Sequence, residues 1–199
     1  PRVMIVAGEA SADLHGAQLV EELRKREPSI ELFGVGGAEM RSKGFEAIIP
    51  AENMSLAGLT EVLFALPRMF RYMKQLVSLA VTRRPAVAVL IDLPDFNLRL
   101  AKRLNRCGIP VVYYISPQLW AWRQGRVEQI KKFVDQMLVI LPFEKEFYDQ
   151  HGVKTEFVGH PLVEGLPENP NREEAKKAIG INEDAHPVVA LLPGSRRKE

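Results

Sequence analysis

Asp92 closes an apolar run, Val87 to Ile91, and opens a polar knot, so that residues 87–97 read VAVLIDLPDFN. A carboxylate there is partly desolvated, which raises its affinity for a proton and suits a general base. The same residue type could equally accept backbone N–H bonds in the turn before Pro94. A second run, residues 111–123, reads VVYYISPQLWAWR and breaks into Trp120, Trp122 and Arg123. Indoles on a loop could stack on a sugar or a base or cover a lipid chain, or one of them could pack under the next helix. A third knot, AGEASADLHG at Ala7–Gly16, places Glu9 at a strand end and Ser11 near a helix start. It lacks the G-x-G-x-x-G spacing that lets a backbone approach a pyrophosphate, and the local alternative is Ser11 as a helix cap with Glu9 solvated. Asp95 reads as the cap of the helix that holds Asn97. His160 follows a strand and precedes Pro161; a lone histidine there is structural or ligand-facing. The four histidines and the single cysteine, Cys107, show no metal-ligand spacing.

The elements that must position these residues alternate. Strand-like runs at 3–8, 30–35, 46–49, 87–91, 111–115, 137–141 and 156–158 are separated by helical patterns at 12–26, 38–43, 96–106, 124–133 and 143–150. Residues 54–83 read as helical in two pieces divided near Pro67. Such alternation means βαβ units, an α/β fold with a Rossmann-like, doubly wound parallel sheet. Ligands bind such sheets outside the carboxyl ends of the strands, where all three knots fall. After Gly159 the composition shifts: residues 164–186 read as a linker with a short helix, and Val188–Leu192 as a new buried strand running into Pro-Gly-Ser-Arg. The expectation is a domain over 1–163 and, over 187–199, the cut start of a second α/β domain. The absence of an initiating methionine suggests a trimmed start.

The chain has 199 residues, 46% hydrophobic and 26% charged, with net charge +2. That balance is ordinary for a globular protein and too weak to imply nucleic acid. No stretch approaches the 18 apolar residues of a membrane span. One cysteine allows no internal disulfide. Two basic runs stand out. Residues 99–132 hold eight Lys or Arg against Glu128 alone, a solvated face or a rim for an anionic ligand. Residues 54–84 hold five bases against Glu61, with Leu63, Phe64, Met69, Phe70 and Met73 crowding more than one helical face. A helix of that kind lies in an anionic membrane interface, or two such helices pack in a core.

AGEASADLHG, GVGGAEM, LAGLTEVL, IDLPDFN, ISPQLWAWR, LPFEKEFY, FVGHPL and LLPGSR occur in this order along the chain. In that order they resemble the lipid-A-disaccharide synthase family, over essentially the whole length. Where most of the family has Ser-Gly-Asp, this chain has Ser11-Ala12-Asp13. The resemblance implies the N-terminal domain of a GT-B glycosyltransferase, with the active site between two Rossmann-like domains. The implied reaction moves 2,3-diacylglucosamine from UDP to the 6-hydroxyl of 2,3-diacylglucosamine 1-phosphate, with inversion, UDP as leaving group, and no metal or cofactor. It implies Asp92 as the base, with Glu9 as the other candidate or an orienter of the acceptor. Ser11, Asn97, Trp120, Arg123 and His160 become substrate contacts, and Arg196 a group near the UDP. Leu63, Phe64, Met69, Phe70, Arg71 and Met73 become contacts to acyl chains or the membrane. The implied setting is the cytoplasmic side of the Gram-negative inner membrane, peripherally bound. The implied partners are the two lipid substrates, the membrane surface and a C-terminal domain carrying most of the UDP site; this part alone is expected to be inactive. A UDP-sugar epimerase of related fold and a non-enzymatic membrane-docking module are the alternatives.

Overall fold

A computed structural model describes residues 1–54, 59–122, 124–164, 171–181 and 187–191, the side chains of 59–65 and 164 excepted. Seven strands form one parallel sheet in the order β3-β2-β1-β4-β5-β6-β7. In chain order the elements are β1 (Arg2–Ala7), α1 (Ala10–Arg26), β2 (Glu31–Gly36), α2 (Ala38–Ser42), β3 (Glu46–Pro50), α3 (Leu59–Arg83), β4 (Val87–Ile91) and α4 (Pro94–Arg106). They continue with β5 (Val111–Tyr114), α5 (Val127–Phe133), β6 (Gln136–Val139), α6 (Pro142–Gln150), β7 (Thr155–Phe157), α7 (Pro161–Glu164) and α8 (Arg172–Ala178). The α/β, doubly wound fold expected from the alternation is the observed one. The chain divides into two compact units, Pro1–Pro161 and Leu162–Glu199.

The strand order reverses at β1, which pairs with β2 on one side and β4 on the other. Ala7 stands level with Ile91, and Ile91 with Tyr114. The next residues of the three strands, Gly8, Asp92 and Ile115, therefore leave the sheet along one edge. β1 is buried from Val3 to Ala7, as an interior parallel strand with helices on both faces requires. On one face Met4, Val6, Leu90 and Tyr113 pack with Met73 and Leu76 of α3, Leu100 and Leu104 of α4, Ile130 of α5 and Tyr148 of α6. On the other, Val3, Ile5, Val89 and Ile91 pack with Ala12, Ala17 and Val20 of α1 and Met40 of α2.

Two expectations about elements are corrected. α3 is one continuous helix through Pro67, not two pieces. An interior proline costs about 3 kcal/mol, and here the apolar face of the helix, seated on the core through Met73, Leu76 and Ala80, outweighs that cost. Val188–Leu191 is not a buried strand: Val188, Val189 and Leu191 are exposed, and no ladder pairs with them among the described residues. A strand exists by its pairing, so an apolar run alone does not make one. At the opposite rim of the sheet from Asp92, exposed Cys107 closes α4 just before Gly108 turns the chain into β5.

Candidate functional site

β4 ends in strained backbone. Asp92 and Leu93 both adopt left-handed geometry, with φ of 50° and 48°, and Ile115 at the end of β5 does the same with φ of 64°. Each such residue costs roughly 1–3 kcal/mol and persists only when its surroundings over-determine it. The surroundings here are specific. The Asp92 N–H donates to the Tyr114 carbonyl at 3.2 Å. The Asp92 carbonyl accepts from Asn97 Nδ2 at 2.7 Å and from the Tyr113 hydroxyl at 2.6 Å. Leu93 then starts α4 with Pro94 as its first helical residue, where a missing N–H costs nothing. Its side chain fills the space over Gly8, at which a Cβ would lie 2.6 Å from Leu93 Cδ2. The glycine ending β1 and the strained turn ending β4 thus fit together across the point where the strand order reverses.

α1 brings two further groups to this edge. Its cap is Glu9, with no side-chain cap bond, and Ser11 lies exposed in the first turn. The reading of Ser11 as the cap is therefore corrected; the helix starts two residues earlier than that reading requires. Asp13 is buried and accepts from the N–H groups of Gly37, Glu39 and Met40 at 2.6, 3.0 and 3.2 Å. It satisfies the first turn of α2 and ties the two glycine-containing turns together. Gly37 is needed there, since a Cβ would fall 2.3 Å from Asp13 Oδ2. His15, two residues further along α1, is 8% exposed, and its Nδ1 has no partner among the described residues. Its ring lies 6.5 Å from that of His160, edge to face. Burial, and then the neighbouring His160, lower its pKa from 6.5; a bond with Gln18 and the charge of Asp92 oppose them. His15, His160 and Asp92 thus share one electrostatic neighbourhood. Neither His15 nor Asp13 was singled out from the sequence, although both lie in the first knot. Only the long-range contacts with His160 and with the α2 turn give them roles.

A cavity of about 650 Å³ opens beside this edge, at the ends of β1, β2 and β3. Gly8, Glu9, Leu14, Gly37, Glu39 and Ala51 line it. On the other flank, the loop after β5 is fixed from α6. The Ser116 hydroxyl donates to Glu144 Oε1 at 2.7 Å, Glu144 Oε2 accepts from the Leu141 N–H at 3.2 Å, and the Tyr148 hydroxyl donates to the Pro117 carbonyl at 3.0 Å. Glu144 and Tyr148 are buried. The sequence reading missed this pair; Pro142 followed two residues later by Glu144 is the helix-start signal that would have located it. Trp120 is half-buried, edge to face with Phe143 at 5.0 Å, and its Nε1 is buried without a partner among the described residues. Trp122 is 61% exposed. Arg126 pairs with Asp95 at 2.5 Å. Asp95 therefore works as an ion-pair partner inside the first turn of α4, and the expectation that it caps the helix is corrected.

Glu9, Ser11, Asp92 and His160 all fall at the carboxyl edge of the sheet. Asn97 Oδ1 is buried without a partner among the described residues. The residue is fully buried and its Nδ2 is spent on the Ile91 and Asp92 carbonyls, which ties it to the Asp92 turn. The expectation that Met73 meets acyl chains or the membrane is corrected: it is 4% exposed and packed in the core, against which Met69 is partly buried. Phe70, 51% exposed, shares the outer side of α3 with exposed Arg71. Arg123 and Arg196 and the side chains of Leu63 and Phe64 lie outside the described residues.

Comparison with known proteins bears on what such an edge serves. Among solved structures, the chain is similar to a UDP-GlcNAc 2-epimerase from Neisseria meningitidis, bound to UDP-GlcNAc (TM-score 0.59, 11% identity, 90% of this chain and 53% of that one). It is also similar to a putative UDP-N-acetylglucosamine 2-epimerase from Listeria monocytogenes (TM-score 0.58, 14% identity, 87% and 54%). At that identity the likeness is one of fold alone, and it does not favour the epimerase alternative. In sequence the chain is 50% identical to the lipid-A-disaccharide synthase of Myxococcus xanthus, over all of this chain and 52% of that protein. It is 52% identical to that of Anaeromyxobacter sp. strain K, over all of this chain and 51% of that protein. The chain spans about half the length of these curated relatives. A family model described as lipid-A-disaccharide synthetase matches residues 3–199. The knots at the ends of β1, β4 and β5 all fall within that match, and the chain belongs to the lipid-A-disaccharide synthetase family.

Proposed function

We propose that this chain forms the acceptor-side half of an inverting glycosyltransferase. The reaction condenses UDP-2,3-diacylglucosamine with 2,3-diacylglucosamine 1-phosphate, giving the β-1,6 disaccharide 1-phosphate and UDP. The acceptor 6-hydroxyl oxygen bonds to the anomeric carbon of the donor as the bond from that carbon to the UDP oxygen breaks. Asp92 takes the hydroxyl proton, and Glu9 orients the acceptor or serves as the base in its place. The UDP-sugar is a substrate and no cofactor enters. The observation that carries this reading is the carboxylate of Asp92, set on strained and over-determined backbone at the point where the strand order reverses. His160 and Ser11, at the same edge, are proposed to hold sugar or phosphate oxygens, and Trp120 to border the sugar. Arg123 and Arg196 are proposed to meet the phosphates.

The donor wall of the cleft is assigned to a second domain, of which residues 187–199 form the start and residues 164–186 the link. The reading places the enzyme peripherally on the cytoplasmic face of the inner membrane. No described helix is long and apolar enough to cross a membrane. The outer side of α3, where Leu66 and Phe70 stand among Arg68, Arg71 and Lys74, is the proposed docking face for anionic lipid.

The test is disaccharide synthesis by the chain alone and by the chain extended with the C-terminal half of its relatives. The extended protein is expected to be active and the isolated chain silent. Asp92→Asn in the extended protein is expected to lower kcat by about 10²–10⁴-fold, the range for loss of a general base. Undiminished turnover by that variant removes Asp92 as the base. Epimerised sugar without disaccharide defeats the reaction assignment itself.

A further inference from the structure

The turn that carries Asp92 is held by two side chains for which the proposed chemistry leaves no direct task. The carbonyls of three successive residues are each accounted for. That of Ile91 accepts from Asn97 Nδ2 at 3.2 Å. That of Asp92 accepts from Asn97 Nδ2 and the Tyr113 hydroxyl. That of Leu93 accepts from the Phe96 and Asn97 N–H groups at 3.2 and 2.9 Å. Asn97 and Tyr113 are both fully buried. They come from different elements, the first turns of α4 and the middle of β5, and converge on one oxygen.

A buried amide and a buried phenol are costly unless paired. Apolar residues of the same shape would fill the space as well, but they would leave the Ile91 and Asp92 carbonyls without these donors. The polar pair therefore does something that packing does not: it fixes which way the Asp92 peptide faces. Turning that peptide out of the left-handed region would strand two buried donors at once. Tyr113 is a dependable donor because burial, and then the charge of Asp92, push its ionisation well above the usual phenol range, so the hydroxyl keeps its proton.

We infer that Asn97 and Tyr113 are positioning residues, clamping the Asp92 carbonyl so that the adjoining carboxylate is presented to the acceptor hydroxyl in one orientation. This inference rests on the reading of Asp92 as the base. It reassigns Asn97 from substrate contact to support and gives Tyr113, absent from the sequence-level site, a task in the reaction. A group misplaced by about 1 Å at a reacting centre loses on the order of 10²-fold in rate, so the clamp acts on turnover rather than on binding.

The experiment uses the extended, active protein. Tyr113→Phe deletes one oxygen and Asn97→Leu removes the amide at similar volume. Ile130→Val, in the same apolar cluster, is the control for a loss of packing alone. Both clamp variants are expected to lower kcat by about 10- to 100-fold with KM within about twofold, the signature of an interaction needed in the transition state. Ile130→Val is expected to leave kcat within about twofold even where its melting temperature falls as far. In an Asp92→Asn background, Tyr113→Phe is expected to cost nothing further, because it acts through that carboxylate. Wild-type kcat in a folded Tyr113→Phe protein overturns the inference. So does an undiminished cost of Tyr113→Phe in the Asp92→Asn background. Full turnover by Asp92→Asn alone is a different failure and removes the base assignment instead.

Discussion

His15 shows at the residue scale how burial becomes a pH response. Its folded pKa is lowered from 6.5, first by burial and then by His160. As pH falls through 6.5 the unfolded chain takes up this proton before the folded one does. The stabilisation is therefore complete above that pH, declines as pH drops toward the folded pKa and levels off below it. His15→Gln is expected to flatten this part of the stability profile between about pH 7 and 5, read as the difference in denaturant midpoint from the wild-type chain. A parallel decline in both proteins would show that His15 does not carry it. Asp92 was legible in the sequence because an acid ending an apolar strand is a local pattern. The roles of Asn97 and His15 were not. Asn97 follows Asp92 by five residues and reads as an ordinary first-turn amide until Tyr113, from the next strand, arrives at the same carbonyl. Asp13 was missed for the same reason: its three donors come from a turn 24 to 27 residues away.

α3 sets the lesson at the scale of elements. Its crowded apolar pattern suggested either a membrane face or a core helix, and the helix carries a buried apolar stripe with exposed apolar residues flanking it. Met73, Leu76 and Ala80 are buried, while Leu66, Phe70 and Val81 are exposed. Periodicity identified the helix, but Pro67 misled the reading because the cost of an interior proline is local and the packing that overrides it is not. Phe70→Asp with Arg71→Glu is expected to lower binding to vesicles containing phosphatidylglycerol by at least about tenfold, since about 1 kcal/mol attends each basic residue at an anionic surface and each substitution here also adds an acid. Co-sedimentation measures it, and unchanged binding by the double variant counts against α3 as the docking face. The run at 188–191 failed in the other direction. Its β-branched residues suit a strand, but strand formation depends on a neighbour, which no local pattern reveals.

Over the whole molecule, both apolar clusters lie between Val3 and Val153, inside the first compact unit. Stability should therefore reside there. A chain ending at Pro161 is expected to unfold in one cooperative transition with a melting temperature within roughly 4 °C of the 199-residue chain, a shift of about 1 kcal/mol. Calorimetry decides it; a non-cooperative or much lower transition would show that the second unit holds up the first. The parallel, doubly wound sheet followed from the alternation of strands and helices, because parallel strands need crossovers and crossovers have one hand. The depth of the strain at the strand ends did not follow, since backbone geometry at Asp92, Leu93 and Ile115 is imposed by neighbours distant in sequence.

The sole thiol of the chain has a practical value that follows from where Cys107 stands. It is exposed at the rim from which β5 departs, and β5 runs four residues from there to the edge bearing Ile115. At about 3.3 Å per residue, that separates the thiol from the edge bearing Asp92 by on the order of 13 Å of sheet. A fluorophore or a surface tether attached at Cys107 would leave the opposite rim facing outward and unobstructed. Immobilised in this orientation, the protein would present the carboxyl edge of its sheet to vesicles or other partners supplied in solution, and no cysteine would first have to be removed.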